Sequence, residues 1–208
     1  MNSEQNIFQQ SFTTIVEEQY LKKDKRDIWK DSPWKHISEL ENDDVGRVGE
    51  ITIQNWCNAS EIPSSINGIA TKQIGGGNGD GTIKGKTVEI KTARLSSNGD
   101  SFQHELGEKP WLADYMIFLD IAPSTMYITI FSNFTEEHYK ASGTDNNIKC
   151  SPVFPSRSIC WRKQKGAFKL DTSIKMNEKN THFTFKCDLK KKTNEFKEFV
   201  DQIIKTDV

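Results

Sequence analysis

One short stretch, GDGTIKGKTVEIKTAR at residues 79–94, constrains this chain more than any other. If residues 84 and 85 form a two-residue hairpin loop, the flanking strands pair in a register that sets Asp80 opposite Glu89. Directly opposed residues of an antiparallel pair point to the same face, with Cβ atoms about 4.5–5.5 Å apart. The stretch therefore predicts a β-ribbon that holds two carboxylates side by side.

Alternation along the second strand adds an amine to the same face. Glu89 and Lys91 are two residues apart, so their side chains point the same way, about 6–7 Å apart along the strand. Two carboxylates about 4 Å apart repel by about 4 kcal/mol at an effective dielectric of about 20, unless a proton or a cation offsets the charge. Mg²⁺ favours carboxylate oxygens together with water and substrate phosphates. Asp80, Glu89 and the backbone carbonyl of Ile90 are therefore predicted metal ligands.

Two alternatives remain open for this hairpin. A three-residue loop that ends in a glycine bulge would slip the pairing by one residue, because Lys84 is not a favoured first turn residue. An ordinary surface hairpin would also alternate acids and amines, with Lys84, Lys86 and Lys91 neutralising Asp80 and Glu89. The glycines on either side of residue 80 favour the functional interpretation, because they clear space for a ligand.

A helix is predicted from Val45 to about Asn58, with Asp44 as its N-cap. Four side chains are expected to face the core: Val48, Ile51, Thr52 and Trp56. Three polar side chains share a different face: Arg47, Glu50 and Gln54. Gly46 and Gly49 each cost up to about 1 kcal/mol inside a helix. Their presence indicates that another part of the chain approaches this helix closely.

The remaining pattern predicts an α/β fold with a mixed central β-sheet flanked by helices. Helices are expected at residues 5–30, at 132–142 and at the C-terminus, where apolar residues form one stripe: Phe196, Phe199, Val200, Ile203 and Ile204. Strands are expected at residues 69–74, 101–106, 114–121, 126–131 and 181–187. The strand at 114–121 contains a continuous apolar run, which is typical of a buried central strand, and the strand at 126–131 is its expected partner. Residues 141–180 are polar and are expected to be irregular.

The net charge of −1 over 208 residues conceals an uneven distribution. The stretch from Lys149 to Lys192 contains 12 Lys and Arg against 3 Asp and Glu, which is compatible with a surface that faces phosphates. Within it, the segment 156–166 places four cations around Trp161 as candidate DNA contacts: Arg157, Arg162, Lys163 and Lys165. A basic surface loop with Trp161 in the core is an equal alternative.

Two further candidate contacts with DNA follow the hairpin. Arg94 could bind a phosphate, and an exposed solubilising arginine is an equal alternative. Alternation turns only one of two adjacent strand residues toward the site, and Gln103 is preferred there to His104. His104 is expected to be a satisfied polar residue within the sheet.

The order of the charged residues along the chain resembles that of the PD-(D/E)XK nuclease superfamily, in particular the type II restriction endonucleases. The residues that carry the resemblance lie on the helix, before the hairpin and on its second strand: Glu50, Asp80, Glu89, Ile90 and Lys91. The resemblance covers about residues 44–131. Gly79 stands where the family motif often has a proline, which weakens the resemblance only slightly.

The resemblance implies a restriction-endonuclease-like core and a catalytic role for four of these residues. Asp80 and Glu89 would bind Mg²⁺, and Lys91 would orient or activate the attacking water. Glu50 would bind a second metal or hold the first through water, unless it is a solvated helix residue. The expected activity is sequence-specific cleavage of double-stranded DNA by a homodimer, with a functionally paired DNA methyltransferase.

Other classes fit less well. The glycines at 75–81 lack the ending of a Walker loop, and no nucleophile elbow is present. The four cysteines show no zinc spacing and are expected to be reduced thiols, and with no apolar run or signal-like start the chain is expected to be cytoplasmic. A single domain of residues 1–208 is expected, with 44–131 as its catalytic core and 141–190 as its basic DNA-contacting segment. Two alternative functions stay open: a structure-specific or nicking repair nuclease, and a DNA-binding module without catalysis.

Overall fold

A computed structural model of the protein describes residues 3–22, 27–67, 79–97, 99, 101–107, 111–135, 138, 159–162, 167–187 and 193–206. Four α-helices are described: α1 (Ser3–Lys22), α2 (Asn42–Ala59), α3 (Ile174–Lys179) and α4 (Thr193–Ile203). Nine strands are described: β1 (Ser64–Ile66), β2 (Gly81–Ile83), β3 (Lys86–Arg94), β4 (Phe102–Gly107), β5 (Tyr115–Ile121), β6 (Met126–Ser132), β7 (Ile159–Arg162), β8 (Ala167–Thr172) and β9 (Thr184–Cys187). A short 3₁₀ helix (Lys35–Glu39) precedes α2. No described helix is long and apolar enough to cross a bilayer.

The main sheet has six strands in the order β1-β2-β3-β5-β6-β9. Strands β3 and β5 are parallel and the other neighbours are antiparallel, so the predicted mixed sheet is confirmed. All seven residues of β5 are buried, and β6 pairs along its whole length, as the apolar run predicted. Alternate β5 residues enter two different cores, because the sheet is covered on both faces.

Helices α2 and α4 pack with the larger core on one face of this sheet. The C-terminal stripe of α4 is confirmed, since Phe196, Phe199, Val200 and Ile204 are buried and Ile203 packs against them. On the other face, a second sheet with the order β4-β8-β7 closes a smaller core through Leu106 and Leu170. The architecture is therefore a mixed sheet between a helical layer and a small second sheet.

The expectation that residues 141–180 are irregular is wrong wherever they are described, because they form β7, β8 and α3. The alternation of apolar and polar residues in β8 is hard to detect, because the strand is short and its sequence neighbours are polar. Its pairing with β4 stabilises the strand, which the local sequence pattern does not indicate. The expected strand at residues 69–74 lies outside the described residues. So does most of the helix expected at 132–142, where Asn133 has a left-handed φ of 47° and only His138 is assigned to a 3₁₀ turn.

Two helix predictions also require correction. The first helix ends at Lys22, and residues 28–31, 33 and 34 form turns before the 3₁₀ helix instead of continuing it to residue 30. Helix α2 starts at Asn42 after Glu41, which makes no side-chain cap, so Asp44 lies in the first turn, where a negative charge suits the helix dipole.

The core face of α2 matches the predicted one only in part. Val48 and Trp56 pack against the core as predicted, but the fully buried residues are Val45, Gly49, Ile53 and Cys57, and Ile51 is 48% exposed. The reason is the close approach of β3: a Cβ built on Gly49 would lie 1.7 Å from Thr92 Oγ1. A helix can meet a strand this closely only where the side chain is missing, so the small residue and not the large ones marks the contact.

Candidate functional site

The hairpin has the register that its sequence predicted. Ile83 pairs with Lys86 and Gly81 pairs with Val88. Lys84 and Gly85 have φ angles of 53° and 79°, which is the two-residue turn with both central residues left-handed. The alternative with a three-residue bulged loop is therefore wrong.

Lys84 occupies an unfavourable turn position because its ammonium group has partners elsewhere. It donates to Asp201 Oδ1 at 2.8 Å and to the carbonyl of Ile204 at 2.9 Å, at the end of α4. The lysine thus fixes the hairpin tip to the helical layer, which also fixes the position of the site at the other end of the hairpin.

Asp80 lies one residue before β2. The pairing of β2 with β3 ends at Gly81 and Val88, so the predicted pair of Asp80 with Glu89 lies just beyond it. Its Oδ2 accepts a hydrogen bond from the Ile90 N–H at 2.7 Å, and its own N–H donates to the carbonyl of Val88 at 2.7 Å. Gly79 turns the chain here with a φ of 90°, and a Cβ on it would lie 2.2 Å from the Val88 oxygen. Asp80 therefore bonds directly to the strand that carries Glu89.

Glu89 and Lys91 share a face, as alternation predicted. Lys91 Nζ lies 2.5 Å from Glu89 Oε1, and each side chain is 25% exposed. Their partners across the parallel ladder are Met116 and Phe118, so this face of β3 is the one turned toward the second sheet. This ion pair also agrees in part with the alternative in which lysines neutralise the acids of the hairpin, because Lys91 neutralises Glu89.

Glu50 joins the group from α2. Burial raises the pKa of Glu50 above its usual range, with repulsion by Asp80 as the next cause, partly offset by Lys91. Burial also raises the pKa of Asp80, and Glu89 adds to this, while the Ile90 N–H and Lys91 act against it. The three acids and the amine that the sequence singled out therefore influence one another electrostatically.

Three of these four groups border a cavity of about 1040 Å³ in a fork between two strands. Strands β3 and β4 meet at a single bridge between Leu95 and Phe102 and then diverge, β3 toward β5 and β4 toward β8. The wall includes Glu50, Asp80 and Ile90, and also Lys91, but not Glu89 itself. Three consecutive β4 residues line it: Gln103, His104 and Glu105. Since adjacent strand residues point to opposite faces, the edge of β4 borders the cavity.

The carboxylates are the donor type that Mg²⁺ prefers, and repulsion among them is the condition that a bound cation would relieve. Among the described residues, no three Asp, Glu, His or Cys side chains lie close enough to hold one ion together. The predicted set of Asp80, Glu89, Ile90 and Glu50 is therefore not gathered into one coordination shell. Mg²⁺ usually takes one or two carboxylates, completed by water and substrate phosphate, so a site here would use only part of this set.

The predicted DNA contacts differ in how far the structure places them. Arg94 lines the cavity, but its Nη1 donates to the carbonyls of Ile37 at 2.8 Å and Leu40 at 2.5 Å, so it holds the 3₁₀ helix against β3. Gln103 is exposed and donates to Asp171 Oδ1 at 3.3 Å. Arg162 lies on β7, and only its backbone is described. Three predicted contacts lie outside the described residues: Arg157, Lys163 and Lys165.

His104 is a buried polar residue within the sheet, as the sequence analysis expected. Its hydrogen-bond partner was not predicted from the sequence. Its Nε2 lies 2.6 Å from Asp120 Oδ1. Asp120 Oδ2 accepts from Thr172 Oγ1 and Asn177 Nδ2, each at 2.7 Å, while His104 Nδ1 has no hydrogen-bond partner in the described structure. This network joins the main sheet, the second sheet and α3 behind the fork.

Arg47 is a wall residue that the sequence analysis did not single out. It was grouped with Glu50 on one face of α2 without being given a role, although the spacing of three residues was a usable signal.

Comparison with known proteins finds no matching family model, no matching curated protein and no matching solved structure. Function is therefore inferred from the chain's own side chains.

Proposed function

We propose that this protein is a Mg²⁺-dependent endonuclease that hydrolyses phosphodiester bonds in DNA. The observation that carries the proposal is the hairpin, which bonds Asp80 to the strand that presents Glu89 and Lys91. Glu50 on α2, which packs on the other face of the sheet, belongs to the same electrostatic group. This is the combination of acids and amine on which the resemblance to PD-(D/E)XK nucleases rests.

Asp80 and Glu89 would hold the metal, with the Ile90 carbonyl and Glu50 as further oxygen donors nearby. With Mg²⁺ held there, the scissile phosphate would be polarised and the charge on the leaving oxygen would be offset. The raised pKa values of Glu50 and Asp80 support this assignment, because burial and mutual repulsion make their ionised forms unfavourable without a counter-charge. A divalent cation supplies that charge.

Lys91 would act on the attacking water and on the charge that develops on the phosphate. Its ammonium group is partly buried, where a positive charge acts on an anion more strongly than it does in bulk water. The ion pair with Glu89 holds the amine in the cavity wall before substrate binds. Positioning of this kind lowers the cost of ordering the group during the reaction.

The finer proposal is a restriction-type enzyme that cuts both strands of duplex DNA at a specific site. Two-fold symmetric cutting suits a homodimer and a functionally paired methyltransferase that protects the same site. The basic stretch from Lys149 to Lys192 supports DNA as the partner, because cations that neutralise phosphates supply most of the affinity for nucleic acid.

Cleavage of supercoiled plasmid DNA, with Mg²⁺ and separately with EDTA, tests the proposal. We expect Mg²⁺-dependent cutting that Asp80→Asn, Glu89→Gln and Lys91→Ala each abolish. Duplex binding, measured with Ca²⁺ in place of Mg²⁺, should persist in all three variants. Lys86→Ala is the matched control, because Lys86 lies on the same strand outside the cavity wall and should not be needed for cleavage.

Each outcome of this experiment has a defined meaning. Intact plasmid after incubation of the wild type with either Mg²⁺ or Mn²⁺ would refute the nuclease proposal and favour a DNA-binding module. Cutting by Lys91→Ala at the wild-type rate would refute the role of the amine. Discrete bands from mixed plasmid DNA would support a sequence-specific cutter, whereas a smear or nicked circles would favour a structure-specific or nicking enzyme.

A further inference from the structure

We infer that Arg47 is a phosphate-binding residue of the same site, which holds the DNA strand beside the scissile phosphate through its guanidinium group. This inference rests on the proposed nuclease function and goes beyond it, because neither the resemblance nor the sequence pattern assigns Arg47 a role. It concerns contact with substrate and not the chemical step.

Arg47 and Glu50 are three residues apart on α2, so they project from the same side of the helix, about 4.5 Å apart along its axis. Both line the cavity in the fork. The positive charge of Arg47 also acts against the raised pKa of Glu50, which places the two groups within electrostatic reach. A long side chain at this position can therefore reach a phosphate that adjoins the one next to Glu50.

The other cations of the cavity wall already have partners. Lys91 is paired with Glu89, and Arg94 donates to the carbonyls of Ile37 and Leu40. Arg47 is exposed, and with the described residues it forms neither a hydrogen bond nor an ion pair, even with Glu50 one turn away. Its guanidinium group is therefore available to a ligand.

The chemistry of the wall indicates which ligand Arg47 would take. Four acidic side chains line the cavity, and they would repel a DNA backbone that enters without a compensating cation: Asp43, Glu50, Asp80 and Glu105. A guanidinium group matches a phosphate with two parallel hydrogen bonds, which an ammonium group cannot do. An unpaired arginine beside these acids thus suits a phosphodiester anion.

The experiment compares Arg47→Gln, Arg47→Lys and a control, Lys205→Gln, which removes an exposed charge just after α4, outside both the cavity wall and the basic stretch from Lys149 to Lys192. Binding of a fluorescent duplex is measured by anisotropy with Ca²⁺ over a series of salt concentrations, and single-turnover cleavage is measured with Mg²⁺. Arg47→Gln should make the negative slope of log K against log salt concentration shallower by about 0.9, and it should weaken binding to all duplex sequences equally. Arg47→Lys should keep the slope but bind about tenfold more weakly than wild type, because it loses the bidentate geometry.

The control should retain wild-type affinity, slope and cleavage rate. An Arg47→Gln protein that binds with wild-type slope and affinity would overturn the inference, and wild-type cleavage in the same preparation would leave the proposed function intact. Slower cleavage with unchanged binding would also overturn it, because Arg47 would then act through Glu50. Failure of the wild type to bind or cut DNA would instead remove the proposed function, and this inference with it.

Discussion

The two glycines of α2 lie on one helix in opposite surroundings, and substituting each with alanine tests how closely the helix approaches β3. A Cβ on Gly46 meets no atom within 4 Å, whereas a Cβ on Gly49 would lie 1.7 Å from Thr92 Oγ1 and 2.8 Å from Thr92 Cβ. Thr92 is on the strand that carries Glu89 and Lys91. The Gly49 contact therefore sets the distance between the acid of the helix and those of the hairpin.

The expected free energies of unfolding follow from this geometry. Both variants gain helix propensity, which stabilises by up to about 1 kcal/mol, and Gly46→Ala should show this gain alone. Gly49→Ala must also push α2 away from β3 or twist Thr92, and overpacking of this kind costs about 1–3 kcal/mol. Gly49→Ala should therefore be about 1–3 kcal/mol less stable than Gly46→Ala.

Urea unfolding followed by circular dichroism measures both values, with equal m-values as a check that only stability has changed. Thr92→Ala should relieve part of the Gly49→Ala penalty, since it removes Oγ1, the nearest atom, but leaves Cβ in place. Thr92 Oγ1 has no hydrogen-bond partner in the described structure, so its removal breaks no described bond. Equal stability of Gly46→Ala and Gly49→Ala would refute the close approach.

Three further predictions concern the fork and its charges. Asp120→Ala should destabilise by about 3–5 kcal/mol in urea unfolding, because it leaves the buried partners of that carboxylate without an acceptor, whereas an exposed control such as Glu198→Ala should stay within about 0.5 kcal/mol. Glu50 has a raised pKa in the folded state, so the folded protein binds more protons than the unfolded chain, and stability should fall as pH rises from about 4 through the folded pKa. Glu50→Gln, compared with wild type in EDTA at a series of pH values, should therefore be more stable near neutral pH and lose this advantage below about pH 4. Mg²⁺ at about 100 times its Kd should raise the free energy of unfolding of the wild type by about 2.7 kcal/mol, and Asp80→Asn should respond less in the same melting assay.

The hairpin, the buried strand and the C-terminal helix were predictable because their determinants are local. A two-residue turn with Gly85 fixes the register of the strands that it joins. The apolar run at residues 114–121 has only one stable place, which is a strand covered on both faces. In each case the pattern that reveals the element lies within the element itself.

The second sheet and the network behind the fork could not be predicted, because their determinants are distant in sequence. Asp120 takes its partners from positions 16, 52 and 57 residues away, which are His104, Thr172 and Asn177. Strand β8 is identified by its pairing with β4, which no local pattern encodes. The core face of α2 was predicted only in part for a related reason, since the close contact selects the smallest residue, Gly49, against the usual preference for large ones.

The fork explains why a hydrogen-bond acceptor is needed where Asp80 lies. Strand β3 leaves β2 after Val88, and on the side away from β5 no described strand pairs with it again before the bridge at Leu95. An unpaired strand edge exposes backbone N–H groups that require acceptors. The Asp80 carboxylate satisfies the N–H of Ile90, and this bond favours the ionised carboxylate against the effect of its burial. Divergence of the two strands thus creates the cavity and also provides the N–H bond that offsets part of the rise in the pKa of Asp80, so one feature of the fold accounts for both the space and the position of the carboxylate in the proposed metal site.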